Sequence, residues 1–280
     1  MTVKVCKYRF LMDRRSTFHW IILVLSSLVL LFILAPLIGM VLDTSPAEFF
    51  QTVKDEEVQD SVWLTLSVAF MATLIFSLMG IPFAWLMARY NFPGKRIVQG
   101  LIDLPVVLPH SAAGIALLGF ISREGLLGKA ADAVGLNLVG NPVGIALAMA
   151  FVSLSFLINA ARDGFAAVPE RLEKAAMNLG ASPVRMFFTV SLPLTWRNIA
   201  SGFIMMFARG MSEFGAIVII AYHPMTAPVL IYERFNQFGL SYARPASVFF
   251  ILVALVIFIF IRIISTKANR RLKKVTVNNR

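Results

Sequence analysis

Residues Ala246 to Ile264 read ASVFFILVALVIFIFIRII, an unbroken apolar run whose single charge is Arg262 near its end. A bilayer core of about 30 Å takes about 20 helical residues to cross, and this run has that length. It is apolar on every side, which suits lipid rather than a soluble core packed on one face. Five further runs share the pattern: Ile21 to Leu42, Val62 to Ala88, Ile97 to Ile121, Val143 to Ala161 and Ile199 to Tyr222. The composition agrees with this reading. Hydrophobic residues make up 58% of the 280, only 15% are charged, and mean hydropathy is +0.78. The sequence predicts an all-α integral membrane protein with six transmembrane helices. The second run exceeds a perpendicular span, so it is expected to tilt or to extend beyond the bilayer.

Lys and Arg set the orientation, because they favour cytoplasmic connections. Placing the N-terminus inside puts Lys4, Lys7, Arg9, Arg14 and Arg15 in a cytoplasmic tail, and Arg89, Lys95 and Arg96 in the first inner loop. Arg162, Arg171, Lys174, Arg185 and Arg197 then fall in a second inner loop, and Arg262, Lys267, Arg270, Arg271, Lys273, Lys274 and Arg280 at the end. Only Lys54, Arg123, Lys129, Arg234 and Arg244 lie outside. Both termini are expected in the cytoplasm of a multi-pass plasma-membrane protein. The net charge of +11 is this topological signal, so a basic tail meeting anionic lipid explains it better than a nucleic acid does. The first apolar run is expected to be a retained anchor rather than a cleaved signal peptide. The one cysteine, Cys6, allows no intrachain disulfide.

The longest stretch outside the spans, residues 162–197, is too short for a domain with its own core, so residues 1–280 are expected to form one membrane domain. No internal repeat is visible. In the first external segment, Asp43, Glu48, Asp55, Glu56, Glu57 and Asp60 face Lys54 alone and read as a solvated acidic face. Asn141-Pro142 reads as the cap and first turn of the fourth span.

The 162–197 loop has its own local code. Pro169 and Glu170 suit a helix start, and Gly180 stands where a glycine stop belongs. Between them Leu172, Ala175, Ala176 and Leu179 fall on one stripe of mostly small side chains, which lets another surface approach closely. Ser182 reads as the cap of a second helix, with Pro183 at its start and Val184, Phe187 and Phe188 inward, running until Pro193. The expected result is an elbow of two short helices.

Two features lie within the membrane. Pro105 and Pro109, four residues apart in Asp103-Leu104-Pro105-Val106-Val107-Leu108-Pro109-His110-Ser111, remove backbone donors and predict a broken helix. Such a break is tolerated where protein or a water-filled cavity satisfies the freed carbonyls, so Pro105, Pro109 and Ser111 are candidate walls of a pathway; a simple kink is the alternative. Arg209 and Glu213 stand at i and i+4 within the fifth run. They read either as an ion pair that fixes helix packing, or as an Arg that compensates an anion in transit while the Glu tempers its field.

The elbow resembles the ATPase-docking loop of ABC importer permeases, whose pattern is Glu-Ala-Ala, a Gly at fixed distance, then Ile or Val and Leu-Pro. Ala175-Ala176, Gly180, Val190 and Leu192-Pro193 match that spacing, while Lys174 occupies the Glu position with Glu173 just before it. The run Arg209-Gly210-Met211-Ser212-Glu213-Phe214-Gly215-Ala216 is similar to that of sulfate and molybdate permeases, as is Leu104 to Pro109. With Phe92-Pro93-Gly94-Lys95 and Glu233-Arg234, the likeness runs from about Val62 onward and is strongest to the molybdate/tungstate permeases. The resemblance implies a type I importer fold, a homodimer, two cytoplasmic ATPase subunits that bind ATP and Mg, and an external oxyanion-binding protein. It implies ATPase coupling through Leu172, Glu173, Lys174, Ala175, Ala176, Leu179, Gly180, Ala181 and Pro183. No Gly-x-x-x-x-Gly-Lys-Ser/Thr phosphate loop occurs, so no cofactor is expected in the chain itself.

Enzyme readings find no support: His19, His110 and His223 stand isolated in sequence, without a metalloprotease pair or a nucleophile elbow. Two transport alternatives stay open. One is an ion-coupled carrier with Glu213 as the protonatable group, and the other a permease for another oxyanion such as sulfate.

Overall fold

The computed structural model describes residues 17–278, with side chains described for residues 18–260. The basic N-terminal tail with Cys6, and Arg280, lie outside the described residues. The described residues are helical with no strand: α1 (Thr17–Leu42), α2 (Pro46–Val53), α3 (Glu56–Arg89), α4 (Lys95–Val107), α5 (His110–Ile121), α6 (Leu126–Asp132) and α7 (Pro142–Ala167). They continue with α8 (Glu170–Asn178), α9 (Pro183–Met186), a π-helical turn (Phe187–Ser191), α10 (Leu192–Met211), α11 (Ile217–Ile220), α12 (Ala227–Phe238) and α13 (Leu240–Asn278).

Four of these, α1, α3, α7 and α13, are long and apolar enough to cross a membrane, and α4 with α5 makes a fifth crossing if the bent pair counts as one. The run from Ile97 to Ile121 is therefore no straight span: α4 and α5 meet at 113° around Leu108 and Pro109. The expected break is real, and Pro109 sits at its corner. The fifth run is also corrected. Its helix begins earlier, at Leu192, ends at Met211, and gives way to a loop before the single turn of α11. The expected extension of the second run is present, since α3 spans 34 residues, about 50 Å at helical rise.

The core is a three-helix seam of α3, α7 and α10. Ala69, Ala148, Met149, Val152 and Phe207 meet in one layer, and Ala84, Ile158, Ala161, Phe165 and Ile199 in another nearer the elbow. Small residues set the spacing. A Cβ on Gly202 would lie 2.8 Å from the Ala160 Cβ, so only glycine admits this approach of α10 to α7. Hydroxyls on α3 bury without unpaired donors by bonding back along the helix: Ser61 donates to the Val58 carbonyl at 2.8 Å, Thr65 to Ser61 at 2.6 Å and Thr73 to Ala69 at 2.7 Å. Thr65 Oγ1 also accepts from the Ala227 amide at 2.8 Å, which fixes the start of α12 against α3. In contrast α1 buries none of its apolar window within the chain.

Of the external acids Asp43, Glu48, Glu56, Glu57 and Asp60 are exposed, as expected, and Asp55 is half-buried; several also hold helix ends. Ser45 and Glu48 form a capping box at α2, and Asp55 caps α3. Arg234 of α12, mostly buried, reaches Asp55 at 2.6 Å and Glu57 at 3.4 Å. Asn141 caps α7 as predicted, accepting from the Val143 and Gly144 amides.

Candidate functional site

α8 starts after Pro169 and stops at Gly180, whose φ of +88° is left-handed backbone that a side chain disfavours. The Ala181 amide donates to the Ala176 carbonyl at 3.1 Å and the Gly180 amide to Met177 at 2.9 Å, the paired bonds of a Schellman stop. Leu172, Ala175 and Leu179 are exposed, Leu179 by 89%, and Ala176 is half-buried. Lys174 pairs with Glu170 at 3.1 Å in solvent. Pro183 is exposed and Ala181 half-buried.

Glu173 does something else. It is buried at 5% exposure and points into the protein. Arg89, in the last turn of α3, donates to it through Nε at 2.8 Å and Nη2 at 2.9 Å, a two-pronged fork. Ser191 donates to the same carboxylate at 2.6 Å, and the Trp85 indole N–H points at it from 3.4 Å. Arg89 also donates to the Val168 carbonyl at 3.1 Å. Burial by itself raises the Glu173 pKa, but the bonds from Arg89 and Ser191, the Arg89 charge and the Trp85 bond together hold it below its ordinary value. The carboxylate thus ties α8 to α3 and to the start of α10.

The second elbow helix departs from expectation. Ser182 caps it by accepting from the Arg185 amide, but α9 is one turn and passes through the π-turn directly into α10. Pro193 therefore does not end the helix. It sits in the first turn of α10, where its missing N–H costs nothing, and the Leu192 amide reaches back to Phe187 with π spacing. On this stretch Met186 is buried and Phe187 half-buried against Trp85 and Phe165, as expected for Phe187, while Val184 and Phe188 are exposed.

The second cluster lies where α10 ends. Arg209 is in its last turn and Glu213 follows in the loop, so the two are not on one helix, yet they pair at 3.0 Å. Glu213 is 1% exposed, and its other oxygen accepts from the Ala216 amide at 2.9 Å. His110, isolated in sequence, opens α5 beside them: Arg209 Nη2 lies 2.8 Å from its Nε2 and 3.1 Å from its Nδ1, and Glu213 lies 3.4 Å from Nδ1. His110, Ser111, Arg209, Ser212, Glu213, Phe214 and Gly215 line a cleft of about 600 Å³. Of the sequence candidates, the structure unites Ser111, Arg209 and Glu213. Pro109 borders them, and Pro105 lines a separate apolar cleft with Phe76, Leu117 and Phe151. Sequence reading also passed over Asp103, which accepts from Asn159 of α7 at 2.6 Å within the third run. Arg89, Trp85 and Ser191 carried no sequence signal beyond Arg89 as a topological charge.

Residues 80–274 match the family model described as binding-protein-dependent transport system inner membrane component. The molybdate/tungstate transport system permease protein WtpB of Pyrococcus furiosus is 43% identical, over 90% of this chain and 96% of the relative. The protein of the same name from Methanocaldococcus jannaschii is 41% identical, over 87% and 95%. The fold resembles a bacterial alginate ABC transporter crystallised with an alginate pentasaccharide-bound periplasmic protein, at a TM-score of 0.72 and 18% identity, over 90% of this chain and 95% of that one.

Proposed function

The chain belongs to the family of binding-protein-dependent transport system inner membrane components, as an ABC importer permease, and from that membership we propose its place in an ATP-driven molybdate/tungstate importer. Two copies form the translocation pathway, each with six membrane crossings and both termini in the cytoplasm. Two cytoplasmic ATPases, which bind the ATP and Mg, dock on the elbows, and an external binding protein delivers the oxyanion. The names of relatives at 41% and 43% identity support molybdate and tungstate over sulfate.

The observation that carries the reading is the elbow. Its outer stripe of Leu172, Ala175 and Leu179 is exposed without a partner among the described residues, while the inward-facing Glu173 is bolted to α3 and the start of α10. A push on the stripe is thereby delivered to two core helices at once. Glu213, in contrast, is poorly placed for a proton-coupled carrier: it is buried, with one oxygen on Arg209 and the other on the Ala216 amide.

The test is uptake of radiolabelled molybdate into proteoliposomes holding this chain and its ATPase, with binding protein outside and ATP enclosed. ATP-dependent uptake blocked by tungstate and spared by sulfate is the expected outcome. Uptake that needs no ATP and follows a proton gradient would establish the carrier instead.

A further inference from the structure

We infer that Arg209, Ser111 and the first amides of α5 form a low-affinity resting site for a tetrahedral oxyanion, with His110 holding the guanidinium in place and Glu213 as its fixed counter-charge. The inference rests on the importer reading and gives that reading a binding site.

The donors face the cleft and the carboxylate faces away from it. Glu213 is enclosed, and both its oxygens are already held, by Arg209 and by the Ala216 amide. It contributes charge from behind and no accessible acceptor. In front stands Arg209, its side chain 24% exposed, donating to a His110 side chain that is 45% exposed. Among the described residues only Nη2 of the guanidinium is engaged, which leaves the remaining N–H groups for a ligand.

A second donor set comes from the backbone. α5 is 12 residues long and starts at Pro109 with no side-chain cap. Its first intrahelical bond is from the Ala113 amide to the Pro109 carbonyl, so the Ser111 and Ala112 amides have no helical partner. The positive end of the helix dipole is at the same place. The sharp bend between α4 and α5 aims that end at Arg209. The approach depends on Gly215, because a Cβ there would lie 2.7 Å from the His110 Cβ.

The charge balance matches transit rather than storage. Arg209 and Glu213, paired at 3.0 Å, offset each other's charge at the cleft. A dianion is held by oriented N–H and O–H groups, without the deep electrostatic well of an unpaired Arg.

Two readouts on the reconstituted permease–ATPase complex test the site. His110→Leu is expected to lower ATP-driven molybdate uptake about tenfold, because Arg209 loses the ring nitrogen that accepts from it, while His110→Gln, whose amide oxygen can accept in its place, keeps more of the uptake. Independently, in a Cys6→Ser background, tungstate is expected to slow the labelling of Ser111→Cys by a charged thiol reagent, while chloride leaves it unchanged. Full uptake by His110→Leu, or labelling indifferent to tungstate, in a complex whose wild type imports molybdate overturns the site and leaves the importer standing. A wild type that imports no oxyanion overturns the importer reading and the site with it.

Discussion

Beside the two ends of α10, about 30 Å apart by helical rise, lie two Arg–Glu pairs that differ in what surrounds them. At the elbow end Arg89 and Glu173 are both buried, at 8% and 6% side-chain exposure, and four donors converge on the carboxylate. At the far end Glu213 is just as buried, but its Arg209 is 24% exposed and borders a cleft. A buried pair repays its desolvation only when its hydrogen bonds are complete, and the elbow pair meets that condition. The Arg209 pair leaves donors over. A saturated pair is a strut; one with spare donors is poised to bind.

The largest effect expected from this contrast is at the strut. Glu173→Ala leaves Arg89 buried with its charge unpaired, a loss of about 3–5 kcal/mol, read by thermal unfolding of the purified permease–ATPase complex. The double replacement Arg89→Met with Glu173→Leu should recover most of that stability. It should not recover uptake, because apolar packing lacks the directional tie to Ser191 and the Val168 carbonyl. A single variant no worse than a surface pair, below about 1 kcal/mol, would erase the distinction between the two ends.

Next in size is Gly215→Ala, which drives a methyl to 2.7 Å from the His110 Cβ. Overpacking of this kind costs about 1–3 kcal/mol, or displaces α5 and lowers uptake at unchanged stability. No change in either would mean that His110 is not held against Arg209. A smaller, pH-dependent effect separates the pairs again. Because Glu173 is held below its ordinary value of 4.5, its contribution is complete above about pH 4.5 and drains away as pH falls through the lower folded value. The wild-type melting temperature should therefore fall with acid in that window more steeply than that of the Arg89→Met, Glu173→Leu protein.

The strut and the cleft were not equally legible in the sequence. Apolar runs gave the long helices, because lipid exposure leaves a signal in every residue, as α1 illustrates with exposed side chains along its length. The caps at Asn141 and Ser182 and the stop at Gly180 were equally readable, being local chemistry. What failed was non-local or a matter of phase. The π-turn at Phe187–Ser191 adds a residue that no helical periodicity anticipates, and of the expected inward set Phe187 is half-buried while Val184 and Phe188 lie outward. Glu173 sits 84 residues from Arg89, and His110 sits 99 from Arg209, so neither partner was visible along the chain. Arg209 and Glu213 were paired correctly for the wrong reason, since the helix ends between them.

The smallest expected effect tests what the strut is for. Gly180 has a φ of +88°, and a Cβ built on it meets nothing within 4 Å. Gly180→Ala therefore costs only the left-handed backbone strain, about 1 kcal/mol. Asn tolerates this conformation better than Ala, so Gly180→Asn should melt close to the wild type while placing a larger side chain in the same open space. If a partner approaches the elbow closely there, Asn harms uptake more than Ala although it harms stability less. If uptake instead follows stability, the exposed stripe is not the coupling surface, and Glu173 braces a loop that nothing pushes.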